Sequence, residues 1–91
     1  MDFAVEFTHP EGPKEGLKAI RTLEVVLRKN GCKPWDHGTN FAPRRIKGRR
    51  VDTYLSSDVT ATGQHIPMKA IRETLYGELE IRRFKVTKLK Y

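Results

Sequence analysis

The hydrophobic period of this chain switches between two and about 3.6 residues in a definite order, and that order limits the available folds more than any other feature. Phe3, Val5 and Phe7 alternate with Ala4, Glu6 and Thr8, which predicts a strand with one face in a core. His9-Pro10-Glu11-Gly12-Pro13 breaks the alternation. Leu17, Ile20, Leu23 or Glu24, and Leu27 then recur at helical spacing, with Pro13 suited to the first helical position and Asn30-Gly31 to the end. Residues 32–40 read as loop. Residues 41–46 and 49–56 read as strands joined by Lys47-Gly48, a two-residue hairpin connection in which Gly48 supplies a positive φ. In the second of these strands Val51, Thr53 and Leu55 are expected on one face and Arg50, Asp52 and Tyr54 on the other. Residues 56–64 are polar and read as loop. Ile66-Pro67 opens a second helix, with Met68, Ile71 and Leu75 inward, Lys69, Arg72, Glu73 and Tyr76 outward, and Gly77 as its stop. Leu79 and Ile81 alternate in one phase and Phe84 and Val86 in the other, which predicts a last strand with a bulge or bend near Arg82-Arg83.

The order strand, helix, strand, strand, helix, strand suits an α+β fold: a small two-layer sandwich of one mainly antiparallel sheet with both helices on one face. The other sheet face is left open, and arginines and lysines of the hairpin and last strand are expected to project from it or from its rim. Ninety-one residues at 37% hydrophobic fill one small core, so residues 1–91 read as a single domain without room for a large buried cofactor. One cysteine cannot form an intramolecular disulfide, which fits an intracellular chain. No run approaches the roughly 18 apolar residues of a membrane span, and the acidic, alternating start carries no secretory signal. No membrane partner is expected.

Eighteen Lys and Arg against eleven Asp and Glu give a formal charge of +7, which points to a polyanionic partner. Residues 1–30 hold five acids and five bases, so the excess falls in residues 31–91. Arg44, Arg45, Lys47, Arg49 and Arg50 form one cluster, and Arg82, Arg83, Lys85, Lys88 and Lys90 a second. A charged run is often only a solvated face. Arginine predominates in the first cluster, however, and its rigid fork matches phosphate oxygens bidentately, so phosphate binding is the preferred reading.

Catalysis finds little support. Cys32, Asp36 and His37 fall in one segment, but a structural zinc site takes four ligands and His9 and His65 stand apart. Nothing beside Cys32 and His37 supplies an oxyanion site for a nucleophilic pair, and no phosphate-cradling glycine motif occurs. Cys32 reads as a core-facing residue, and Trp35 as closing over the core edge, with base stacking the alternative. The chain is expected to be no enzyme and to need no metal, cofactor or small-molecule substrate.

Phe7-Thr8-His9-Pro10 after the first strand, the helix end at Asn30-Gly31, the basic hairpin, Ser57-Asp58-Val59, and Met68-Lys69-Ala70-Ile71 follow one another in an order that resembles a known family. It is the eukaryote-specific ribosomal protein twenty-two of the large subunit, the "e" type, and the resemblance covers nearly the whole chain. It implies a small α+β domain that binds ribosomal RNA as a structural constituent of the cytoplasmic ribosome, beside neighbouring large-subunit proteins. This chain looks like a shortened member, without the family's basic leader and acidic tail and with its last strand missing or merged. The expected RNA contacts are Arg44, Arg45, Lys47, Arg49 and Arg50 on the hairpin, Lys69 and Arg72 on the second helix, and Arg82, Arg83, Lys85 and Lys88 on the last strand. Two other readings stand beside this one. A winged-helix protein-interaction domain, similar to the cytosolic part of a protein-translocation factor, requires residues 51–55 to be helical. A small DNA-binding regulator shares the charge and requires selective duplex binding.

Overall fold

A computed structural model describes residues 1–8 and 13–90, and for 13–15, 41–46 and 50–55 the backbone alone. The elements are β1 (Asp2–Phe7), α1 (Pro13–Lys29), β2 (Lys33–Ile46), β3 (Arg49–Thr62), α2 (Met68–Arg72), a π-helical turn (Glu73–Glu78) that continues α2, and β4 (Phe84–Lys88). The sheet order is β2-β3-β1-β4, antiparallel at every pairing, within the β-α-β-β-α-β succession of split βαβ folds. The α+β sandwich expected from the periodicities is thus formed.

Alternation on β1 sets the core. Phe3, Val5 and Phe7 are buried and lie opposite Ala61, Val59 and Ser57 of β3, all buried as well. Ala19, Ile20, Leu23 and Leu27 of α1 and Ile71 and Leu75 of α2 and its π turn cover that face. Each large apolar side chain buried this way contributes roughly 1.5–3 kcal/mol. Ser57 is a polar residue in this layer, and its hydroxyl lies 3.3 Å from that of Thr39. Leu17 does not join the stripe: it is exposed, and the inward arc of α1 begins at Gly16 and Ala19 instead.

Both strands of the hairpin are longer than the sequence suggests. Residues 33–40 are strand, not loop, because they pair with residues 56–62 of β3. Residues 56–62 are strand for the same reason on two sides, since they also carry the ladder to β1. Pro34 sits near the start of β2, an edge strand whose outer side needs no donor, and the register skips Trp35 there as a bulge. Trp35 is consequently 53% exposed and does not close over the core edge. Asn30 and Gly31 end α1 as expected, and Cys32 is buried behind them.

At α2 the expected outward set, Lys69, Arg72, Glu73 and Tyr76, is exposed, whereas Met68 is only half-buried. Gly77 does not stop the helix. It lies within the wider π turn, which ends when the Leu79 amide donates to the Thr74 carbonyl at 2.9 Å and the Ile81 amide to the Leu75 carbonyl at 2.6 Å. Those bonds hold residues 79–83 out of the sheet, so β4 begins only at Phe84, and Ile81 is buried as part of the turn that leads into it.

Candidate nucleic-acid interface

The hairpin reaches beyond the rest of the sheet. Pairing of β1 with β3 ends at Phe7 and Ser57, while β2 and β3 stay paired from Asn40 and Ser56 out to Ile46 and Arg49. Seven residues of strand make this two-stranded arm about 20 Å long. The molecule measures 49 × 31 × 17 Å with a radius of gyration of 14.0 Å, against about 12 Å for a compact chain of its length. Lys47 and Gly48 both have positive φ, 53° and 77°, the signature of a type I′ turn whose twist matches that of the strands. Lys47 and Arg49 are exposed at the tip. The register sets Arg45 opposite Arg50 and Arg44 opposite Val51, and the side chains of Arg44, Arg45 and Arg50 lie outside the described residues. So does the expected division of Val51 to Tyr54 between two faces, although a second register skip leaves Leu55 out of the pairing.

Not all of the remaining expected contacts lie with the arm. Arg82 and Arg83 are exposed at the arm's end of the sheet, where the Thr8 amide meets the Arg83 carbonyl at 3.4 Å. Lys69 opens α2 at the opposite end, beyond the last residues of β3, and Lys88 stands near that end, opposite Phe3. Arg72 is exposed on α2, between the two ends. Only Lys85 projects from the open sheet face, opposite Glu6.

Among the described residues that open face carries four carboxylates, which the expectation did not include, while the hairpin arginine side chains expected there or at its rim lie outside the described residues. The phase that buries Phe3, Val5 and Phe7 turns Asp2 and Glu6 outward, and the register brings Asp58 opposite Glu6 and opposite Gly38, with Asp36 two residues along β2. Partial burial raises the Asp58 carboxyl above its ordinary value, the charges of Asp36 and Glu6 raise it further, and a hydrogen bond from the Gly38 amide and the charge of His37 act the other way. At the rim Thr62 donates its hydroxyl to Asp2.

The cations that charge counting passed over are Lys18, Arg21, Arg28 and Lys29, all exposed on α1. Their helical spacing is the signal that a sum over residues 1–30 conceals. Cys32 and His37 face different neighbours: the Cys32 sulfur lies 3.8 Å from the His65 carbonyl, and His37 Nδ1 lies 3.9 Å from Glu24. Burial pushes the Cys32 thiol up, away from the reactive thiolate. Among the described residues no group of three His, Cys, Asp or Glu is placed to hold a metal ion, and no helix is long and apolar enough to cross a membrane. No protein-family model matches the chain, and no curated protein matches it.

Proposed function

We propose that this chain is a structural RNA-binding protein whose basic arm grips phosphates of ribosomal RNA in the large subunit. The observation that carries this reading is the arm: a two-stranded ribbon extending past its own sheet, with Arg44, Arg45, Lys47, Arg49 and Arg50 gathered in its outer part. A ladder of strand pairs holds those positions in fixed register, which lowers the ordering cost of contacting a phosphate chain. Arg82 and Arg83 at the base extend the footprint along the same end. Such contacts position the protein and carry little sequence information. The choice of ribosomal RNA and of the large subunit comes from the family resemblance.

The test is the salt dependence of binding to large-subunit RNA, measured by fluorescence anisotropy with the intact chain and with Arg44, Arg45, Arg49 and Arg50 replaced by alanine. If roughly 6 to 10 phosphates are neutralised, affinity drops on the order of a thousandfold or more between about 50 and 200 mM salt, by analogy with duplex DNA. The four-alanine variant should bind more weakly with a shallower salt slope. Unchanged binding by that variant, or failure of the protein to co-sediment with large subunits at low salt, refutes the reading.

One observation favours the DNA alternative. The B-form major groove admits a two-stranded ribbon, whereas the A-form major groove is too narrow for side chains to read. Duplex DNA therefore belongs in the same titration, and tighter, sequence-selective binding to it would replace RNA as the partner. The winged-helix reading loses its premise, because residues 49–56 are strand.

A further inference from the structure

The outer side of α1 is a second basic surface, separate from the arm. At 3.6 residues per turn, Lys18, Arg21, Arg28 and Lys29 fall within about 100° of arc, on the side opposite buried Ile20, Leu23 and Leu27. The four cations span about 16 Å of helix axis. Among the described side chains of α1 the one acid is Glu24, which lies at the border of this arc with its side chain 16% exposed. It leans 3.9 Å from Arg28 and 3.9 Å from His37, so it offsets part of one cation and leaves Lys18, Arg21 and Lys29 to solvent. Beyond the C-terminal end of α1 a cleft lined by Asn30, His65, Met68, Lys69 and Glu73 sets one further cation, beside an acid, near that end of the helix. The acids of β1, Asp2 and Glu6, point away on the open sheet face.

The geometry points to this helix face as a second polyanion-binding surface, which takes the phosphate backbone of an RNA segment other than the one held by the arm, so that one molecule bridges two segments. The choice of RNA as the polyanion rests on the proposed function; the surface itself does not. A lipid bilayer fits less well, since a helix lying in a membrane interface needs its apolar face for lipid. The apolar face of α1 is committed to the core, and only Leu17 and Val25 stand exposed among the cations.

The experiment uses a donor-labelled and an acceptor-labelled RNA hairpin mixed with the full chain, reading energy transfer and, separately, the salt slope for one hairpin. Three proteins are compared: wild type, a helix variant (Lys18→Gln, Arg21→Gln, Arg28→Gln, Lys29→Gln), and the arm variant with four alanines. Wild type should give transfer. The helix variant should keep single-hairpin binding through the arm, lose transfer, and, on an RNA long enough to touch both surfaces, show a salt slope shallower by about 3 to 4. A charge-preserving variant (Lys18→Arg, Arg21→Lys, Arg28→Lys, Lys29→Arg) should restore transfer, and if the glutamine variant fails to fold, the Lys18→Gln, Lys29→Gln pair is read instead. Transfer and slope unchanged in a folded helix variant overturn the inference. Loss of binding to phosphatidylserine vesicles in the helix variant, with energy transfer and salt slope unchanged, also overturns it in favour of a lipid surface. An arm variant that binds RNA like wild type, beside a helix variant that does not bind, would remove the arm reading and overturn the bridge, leaving the helix face as the polyanion-binding surface.

Discussion

Replacing Asp58 with asparagine should make the protein more stable at neutral pH. Partial burial disfavours the ionised Asp58 carboxyl, and so do the charges of Asp36 and of Glu6, which lies directly opposite across β1 and β3. Asparagine keeps the acceptor for the Gly38 amide and removes the like charge. Like charges facing across a ladder cost a few tenths to about 1 kcal/mol. For a domain of this size that corresponds to a rise in Tm on the order of 1 to 8 °C.

The pH dependence gives the prediction its sign. A carboxyl whose value is raised in the folded state binds its proton more tightly there than in the unfolded chain, so it destabilises the fold when ionised. The penalty is fully present above the raised folded value, shrinks as pH falls through it, and is gone below the ordinary aspartate value of about 3.9. Thermal unfolding of wild type and Asp58→Asn at pH 7 and at pH 3 measures the difference. The two should diverge at pH 7 and converge at pH 3, and added salt should narrow the gap at pH 7, because the Debye length is about 10 Å at 0.1 M. A variant less stable at pH 7, or a gap that persists at pH 3, would show that Asp58 contributes through its hydrogen bond and not through crowded charge. Asp36→Asn should change stability in the same direction by less, since it relieves one charge on the Asp58 carboxyl and leaves its burial and the charge of Glu6 in place.

A Cβ at Gly63 would lie 2.7 Å from the Cys32 sulfur and 3.3 Å from the His65 carbonyl, so Gly63→Ala should cost about 1–3 kcal/mol in urea unfolding, and adding Cys32→Ala should recover part of that loss. Gly48→Ala places a side chain at φ 77° at the arm tip and should cost about 1 kcal/mol locally. Amide exchange should quicken at residues 47–50 while the global Tm stays nearly constant, because the turn joins strands paired there only with each other. Leu23→Ala, at a fully buried position of α1, should cost about 2–5 kcal/mol by thermal or chemical unfolding, a large share of the stability of so small a domain.

The elements legible in the sequence are those whose signal is local. Phe3, Val5 and Phe7 announce β1 by alternation, the stripe from Ile20 to Leu27 announces α1, and Lys47-Gly48 announces the turn from two residues. Residues 33–40 and 57–62 announce little, since Pro34, Asp36, Gly38, Asn40 and Asp58 are poor strand formers taken singly. They are strand because each has a partner far along the chain, and Val59 and Ala61 complete the surface on which α1 packs. The reverse error occurs at Leu79 and Ile81. Their alternation imitates a strand, but Ile81 is bonded to the carbonyl of Leu75 and belongs to the turn before β4.

The charge pattern was legible as a sum and illegible as a surface, because strands and helices sort the same residues by different periods. On β1 a period of two sends Asp2 and Glu6 to the open face, where the register adds Asp36 and Asp58 from other strands. On α1 a period of 3.6 sends Lys18, Arg21, Arg28 and Lys29 to the opposite side of the molecule. The described charges of a segment neutral in sequence, Glu24 on α1 apart, are therefore divided across the sandwich, acids on the sheet and bases on the helix. The split bears on how RNA, the proposed partner, can approach. Sheets of this general kind that bind RNA stack bases on aromatic residues of the open face. Here the described residues of the central strands offer Asp2, Ala4, Glu6, Asp58, Thr60 and Thr62 on that face, with carboxylates that repel phosphate and no ring among them to stack on. A polyanion is thus directed away from the sheet, toward the arm at one end and the helix layer behind. Those two surfaces face different directions, which is the arrangement a bridging protein needs and a single-patch binder does not.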